Sequence, residues 1–551
     1  MMPGLTVMVH GDRETIRVVD LRPETRNPDP ERTIFLAVRA GAGLENREGQ
    51  EGSLVYAIYD SDDLFWLEAL LPGAKREEIE PLAFMGQMYA KYGALLFDSG
   101  RQDLLPSVAT MAGVLSLVPV DATLRAQLGL SNATVRFDAL TQWKSLSTEQ
   151  VVNATAQPQL LAATSSLAFQ SGALLADGYL ADWIVGQRLF AQYLPDACVP
   201  GSQDKGLLRG ILSRAPWPLP VRVYGYNSLD PVLGGDLFEA ETDCFDTLGQ
   251  IASSHAPNLQ FWSRVRPFSQ GVPPLAQSAS PAAPAYSPSA AYVALVYGDM
   301  DNLDFVFSFG RQHMMERVRG CSGAHRGGCF PFTWTMSPNL VQMAPAVLRW
   351  YYAMAAQTST DWFIMPPSGT LYSYPGEMPP AVQADYVTQQ NAQAAVMGTS
   401  GSIHWEWVFT WEAAWKHYFP RYLNTSGTRL FFLNNVPWLI PIPDLALHHD
   451  TYRVIASPDD PSRSVIGFKP AFNWQLDGPS GGDPSNATVI ADRINRFPLG
   501  SVQYVYIIQN TPFSAVQQMV SLLAPHVQLV NYLQLGDLAL QRSAKYKRDP
   551  P

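Results

Sequence analysis

The turn Gly298-Asp299-Met300-Asp301-Asn302 follows directly on the most apolar run of the chain, Tyr292 to Tyr297, and Asp304 comes just after it. Carboxylates gathered this closely can do two kinds of chemistry. One carboxylic acid can give a proton to a departing group while a second carboxylate attacks or activates water, or several oxygens can converge on a cation such as Ca²⁺. Elsewhere, Glu406 stands between Trp405 and Trp407, where burial would raise its pKa into the range of a working acid. Asp301 and Glu406 are therefore the expected acid/base pair, with Asp299 and Asp304 as alternatives. The plain readings are a turn whose aspartates accept their own backbone N–H groups and a strand carboxylate paired with a base. The Asp-x-Asp-x-x-Asp spacing lacks the twelve-residue loop, central glycine and distal glutamate of an EF-hand. No cofactor is predicted, and a divalent cation at Asp299, Asp301 and Asp304 is the metal alternative. A metal-dependent hydrolase would need paired histidines, and His313, His325, His404 and His417 offer no one-turn spacing.

The elements that must position these residues follow a strand and helix rhythm. After residue 290, buried strands are expected at Tyr292–Tyr297, Phe332–Met336, Trp362–Met365, Ile403–Val408, Leu430–Leu433, Val465–Phe468 and Val502–Ile508, with helices at Leu340–Gln357, Ala381–Met397 and Ser514–Leu523. Strand, helix, strand at a period of roughly 27 to 41 residues implies a parallel sheet with right-handed crossovers. The fold class is α/β. Seven or eight units in about 250 residues fit a C-terminal (β/α) barrel better than an open doubly wound sheet. In a barrel the chemistry gathers at the C-terminal strand ends, which adds Ser337, Ser368, Gly369, Tyr372, Tyr374, His404, Glu412, Asn434, Asn435, Lys469 and Asn510 to the candidates.

Before the barrel, the Pro-, Ala- and Ser-rich stretch 272–289 reads as a linker or long surface loop. Residues 1–271 form an N-terminal accessory region of one or two smaller α/β domains. Its apolar runs at Ser53–Tyr59, Gly93–Phe97, Val114–Val118 and Val221–Tyr226 alternate with helical patterns such as Gly172–Leu194. Residues 290–551 form the C-terminal domain. No GxGxxG or P-loop is present. The string Gly478-Pro479-Ser480-Gly481-Gly482 formally matches G-x-S-x-G, but it sits in loop composition without the strand and helix a nucleophile elbow needs.

The segment Pro366–Pro379, PPSGTLYSYPGEMP, carries Gly369, Tyr372, Tyr374 and Pro375 in the order of the signature that names the GxGYxYP family of putative glycoside hydrolases. The chain resembles that family from about residue 33 to 510. Further similar stretches are Ala40–Leu70, Tyr292–Asn302 and Trp334–Pro345. The departure is Leu371 in place of the second glycine, so a backbone that needs positive φ there must be relaxed. The resemblance implies cleavage of an O-glycosidic bond in a poly- or oligosaccharide by paired carboxylates. Tyr372 and Tyr374, with Trp334 and Trp474, would stack on sugar, and Ser368, Gly369 and Asn302 would bind its hydroxyls. Bracing of the loop by the tyrosines is the plain alternative. The rival functions are a non-catalytic carbohydrate-binding protein and a metal-dependent sugar-modifying hydrolase.

Composition narrows the partners. A net charge of -11 argues against nucleic-acid binding, and the basic run Lys545–Arg548 reads as a frayed tail. No apolar stretch is long enough for a membrane span. Fourteen tryptophans, 23 tyrosines and 25 phenylalanines suit sugar stacking, although most must fill cores. Of the four cysteines, Cys321 and Cys329 could close a short disulfide, and Cys198 and Cys244 a second. Asn132, Asn153, Asn424 and Asn486 head glycosylation sequons. Met1–Arg26 contains no signal-peptide run. Because relatives in the family are usually exported, an extracellular or secretory location with a start missing from the gene model is favoured over a cytoplasmic one.

Overall fold

The structure, a computed structural model, describes residues 15–22, 33–49, 54–226, 245–265, 275–322, 329–407, 409–436, 451–460, 463–475, 483–509 and 511–548. Asn510, Cys244, His325 and the string 478–482 lie outside the described residues. The chain forms two compact units. The first is Met1–Cys244, Leu248–Val272 and Leu340–Leu348, and the second is Phe245–Thr247, Pro273–Asn339 and Arg349–Pro551.

The described residues of the first unit form three small parallel sheets. In one, β1 (Thr15–Asp20) lies between β2 (Val55–Ile58) and β3 (Lys75–Glu78); in another, β4 (Ala94–Leu96) lies between β5 (Val118–Val120) and β6 (Val135–Asp138). The third joins β7 (Leu167–Phe169), β8 (Phe190–Gln192), β9 (Val221–Gly225) and β10 (Leu248–Ile251) in the order β10-β9-β7-β8. Two expectations shift. The apolar run Val114–Val118 is the end of the helix Leu105–Leu115, which stops at left-handed Ser116 and leaves β5 as the strand. The helical pattern Gly172–Leu194 breaks into Gly172–Ala176, Ala181–Gln187 and β8, because Leu180 and Arg188 take left-handed backbone.

The second unit contains β11 (Ala291–Tyr297), β12 (Phe332–Thr335), β13 (Asp361–Ile364), β14 (Gly401–Trp407), β15 (Leu430–Val436), β16 (Tyr452–Ala456), β17 (Ser464–Phe468), β18 (Pro470–Gln475), β19 (Asp483–Pro484), β20 (Val502–Ile507) and β21 (Val527–Leu529). Each of the seven strands expected after residue 290 is present. They pair as a seven-stranded sheet, β13-β12-β11-β20-β18-β19 with β21 also on β11, and a four-stranded sheet, β14-β15-β17-β16. All described pairs in them are parallel except β16 with β17. Among the described residues, one isolated bridge, Met365 to Ser402, joins the edges of the two sheets. Every residue of β11 is buried, as a parallel strand covered on both faces requires, so it reads as an unbroken apolar run.

The core of this unit holds an ion pair. Arg317 Nε donates to both carboxylate oxygens of Asp361 at 3.1 Å, and Asp361 also accepts from Trp334 Nε1 at 2.8 Å and from the Thr358 hydroxyl. The guanidinium lies over the rings of Phe330, Phe332 and Phe513. The Pro-, Ala- and Ser-rich stretch is docked on the same unit: Gln277 exchanges hydrogen bonds with the backbone of Phe363 (2.8 and 2.9 Å), and Trp362 Nε1 donates to Ser278 O. Cys321 and Cys329 form a disulfide. The basic run Lys545–Arg548, expected as a frayed tail, is the last turn of the helix Tyr532–Arg548. Among the described residues, no helix is long and apolar enough to cross a membrane.

Candidate active site

The aspartate turn is pinned at the C-terminal ends of three neighbouring strands. Gly298 N donates to Ile507 O of β20 at 2.8 Å, Met300 N donates to Thr335 Oγ1 of β12 at 3.1 Å, and Ser337 N donates back to Met300 O at 3.1 Å. Asp299 adopts a left-handed backbone, φ 64°, a conformation that costs roughly 1–2 kcal/mol in a non-glycine residue. That turn presents its carboxylate to the Tyr506 hydroxyl at 3.0 Å and the Gln509 N–H at 3.5 Å. Gly298 is required here by close approach, since a Cβ on it would lie 2.0 Å from Tyr506 Oη.

The two aspartates meet different surroundings. Both keep some accessible surface but are enclosed by protein, and burial raises both carboxyls. Asp299 rises to about 6, held down by the Tyr506 hydroxyl and the Gln509 amide. Asp301 is pushed up to about 8, by burial first and then by the adjacent charge of Asp299. Oδ1 of Asp301 is buried and has no hydrogen-bond partner. The pair can hold one carboxylic acid and one carboxylate near neutral pH. Asn302, expected to bind a sugar hydroxyl, caps the helix Leu303–Phe307, its Oδ1 accepting from Asp304 N at 3.0 Å.

The signature loop forms a second, closed cluster. Ser368 Oγ accepts from Trp405 N at 2.8 Å and donates to Trp405 O at 3.0 Å, tying the loop to β14 just beyond the end of β13. The Tyr386 hydroxyl donates to Ser368 O at 2.7 Å. Gly369 takes φ 100°, and a Cβ on it would lie 2.5 Å from Gln390 Cδ. Leu371 is not among the left-handed residues, which explains how a leucine can replace the glycine of the signature. Tyr372 packs edge-on against Trp405 at 4.8 Å, and Tyr374 sits 6.3 Å from Trp407. Both tyrosines are buried. Gly369→Ala should destabilise the protein by about 2 kcal/mol, read as a lower urea midpoint.

Glu406 belongs to this cluster rather than to the aspartate turn. Its Oε1 accepts from Gly376 N at 2.7 Å and is 2.9 Å from His404 Nε2, while Oε2 accepts from the Thr410 hydroxyl. It is 0% exposed. His404 is stacked 4.9 Å from Tyr418. A short relay joins the two clusters: Asn339 Nδ2 donates to Thr370 O at 2.7 Å and lies 3.5 Å from Ser337 Oγ. Trp334 and Trp474 are core residues, both 0% exposed, with indole N–H groups donating to Asp361 and Ser485 O. Glu412 is exposed. Among the described residues, no group of three or more His, Cys, Asp or Glu side chains is arranged to hold a metal. Tyr506, Gln509, Thr335 and Gly298 were not legible as site residues, because their role depends on the pairing of β20 and β12 with β11.

Residues 289–438 match the family model described as GxGYxYP putative glycoside hydrolase C-terminal domain. The matched stretch contains β11 to β15, the aspartate turn, the signature loop and Glu406. A crystal structure described as a putative hydrolase from Bacteroides thetaiotaomicron VPI-5482 shares the fold, with a TM-score of 0.73 at 17% identity over 96% of this chain and 95% of that one. A structure described as a putative polysaccharide deacetylase from Mycobacterium smegmatis aligns with a TM-score of 0.30 at 11% identity, over 49% of this chain and 96% of that one, too weakly to bear on the fold. No curated protein matches the sequence.

Proposed function

We propose that the protein hydrolyses O-glycosidic bonds of a poly- or oligosaccharide, with Asp301 as general acid and Asp299 as the carboxylate that attacks the sugar or activates water. The observation that carries this reading is the asymmetric pair itself: two neighbouring half-buried aspartates, one pushed up to about 8 with a bare oxygen, the other held to about 6 by two donors. Asp301 would protonate the departing oxygen through Oδ1, and Asp299 would meet the developing positive charge at the anomeric carbon. The family model matched by residues 289–438, described as GxGYxYP putative glycoside hydrolase C-terminal domain, supports the reaction class.

In this reading the two sheets of the second unit belong to one (β/α) barrel, interrupted between β17 and β18 and, apart from the Met365–Ser402 bridge, between β13 and β14. The residues before the Pro-, Ala- and Ser-rich stretch are an accessory region. Glu406, Ser368, Gly369, Tyr372 and Tyr374 act as positioning residues, which hold the signature loop and, through Asn339 and Ser337, the aspartate turn. The four sequon asparagines are exposed, which would allow glycosylation of an exported protein.

Hydrolysis of a panel of aryl glycosides and polysaccharides tests the proposal, comparing wild type with Asp301→Asn and Glu406→Gln. Turnover lost in Asp301→Asn and only reduced in a folded Glu406→Gln would support it. No turnover on any substrate, with glycan binding retained, would instead favour a carbohydrate-binding protein.

Tyr506 gives a finer test of the same pair. Tyr506→Phe removes the hydroxyl that lowers the Asp299 pKa, so the acidic limb of the rate profile should move upward. Gly298→Ala, which displaces that hydroxyl, should move it the same way. An unmoved acidic limb in both variants would detach Asp299 from the base role.

A further inference from the structure

The first unit contains a concentration of buried polar atoms without partners, at the C-terminal edge of its four-stranded parallel sheet. Gln170 follows β7, Gln192 ends β8 and Gln250 lies in β10; they are 0%, 1% and 3% exposed. Oε1 of Gln170, Oε1 of Gln250, both amide atoms of Gln192 and Nη1 of Arg39 have no hydrogen-bond partner. Each such atom is costly if nothing satisfies it, and native proteins leave few. The concentration therefore calls for a ligand.

The remaining contacts tie these groups together. Gln170 N donates to Gln192 O at 3.0 Å, and Gln170 Nε2 donates to Ser254 O at 3.0 Å and Tyr179 O at 3.3 Å. Gln250 Nε2 donates to Gly225 O at 2.6 Å, and Tyr226 N donates to Ser254 Oγ at 3.1 Å. Beside them stand aromatic rings with open surface: Tyr59 and Tyr179 are half-buried with centroids 5.6 Å apart, and exposed His255 lies 4.7 Å from Tyr179.

The chemistry of the cluster selects its ligand. Arg39 is paired with Asp63 at 3.4 Å and lies close enough to Asp182 for their charges to interact, so the cluster offers no surplus positive charge for a phosphate or carboxylate. Glutamine amides donate and accept, which matches hydroxyl groups, and tyrosine rings match the apolar face of a sugar. The C-terminal edge of a parallel α/β sheet is also where such folds take ligands. We propose that the first unit carries its own binding site for a neutral sugar, with Gln170, Gln192 and Gln250 as hydroxyl partners and Tyr59 and Tyr179 as the flanking rings.

Thermal unfolding of the full chain tests this, using glucose, galactose, mannose, N-acetylglucosamine and their short oligomers as probes. The expected result is a saturable rise in Tm of about 3 °C with at least one sugar. Gln192→Met should raise the Tm in the absence of sugar, because it removes an unsatisfied amide, and should abolish the sugar-dependent rise; Gln170→Met provides a second variant with the same expectation. Asp301→Asn should keep the rise. No shift in wild type, or a shift retained in both glutamine variants, would overturn the proposal. A shift lost only in Asp301→Asn would also overturn it, while leaving the hydrolase reading intact.

Discussion

Asp301→Asn should lose turnover by about a thousand-fold, within the range that positioned acid–base groups contribute, and should at the same time stabilise the protein in alkaline solution. Both effects come from the same proton. Burial and the neighbouring Asp299 charge raise the Asp301 carboxyl from the ordinary 3.8 to about 8, so between those values the folded chain holds a proton that the unfolded chain releases. Stability then falls as pH rises through that window and levels off above it. Asparagine cannot ionise, so the penalty disappears. Because the side chain keeps some contact with solvent, about 2 kcal/mol is expected rather than the full value of the shift. Melting curves should show the variant above wild type at pH 8.5, with the difference closing toward pH 4. A variant that is inactive but less stable at every pH would indicate a structural role for Asp301.

The largest loss of stability is expected at Arg317. Both partners of the Arg317–Asp361 pair are fully buried, and removing one partner of a buried pair costs about 3–5 kcal/mol because the other charge is left uncompensated. In Arg317→Met, Asp361 would keep the Trp334 and Thr358 donors but lose its counter-charge. The cation–π contacts with Phe330, Phe332 and Phe513 would be lost too. The double variant Arg317→Met, Asp361→Leu should recover part of the loss, since no isolated charge remains. Urea unfolding of the two variants measures both terms. A double variant no more stable than the single one would show that the pair contributes chiefly through its hydrogen bonds.

What could be read from the sequence follows from burial. The strands of the second unit were legible because β11, β12 and β20 are covered on both faces and so appear as apolar runs bounded by turns. The first unit was less legible: β4, β5, β7 and β8 have three residues each, too few to show a period. At the site, the aspartate turn was visible because its residues are adjacent in the chain. The setting of Glu406 was not, because one of its donors, Gly376, lies 30 residues earlier and is brought to it by the fold. Trp334 was expected at a sugar because a tryptophan near a strand end looks the same in sequence whether its ring turns outward or, as here, into the core against Tyr297, Phe332 and Phe513. Tyr506 escaped notice because its partner depends on the parallel register that sets it beside Val296.

The pH dependence of turnover on the best substrate of the glycoside panel tests the central claim most directly. If Asp299 must be ionised and Asp301 protonated, the rate should rise through about pH 6, fall through about pH 8 and peak near neutrality. A rate that stays flat from pH 5 to 9, or one that survives Asp301→Asn unchanged, would contradict the assignment of the aspartate pair.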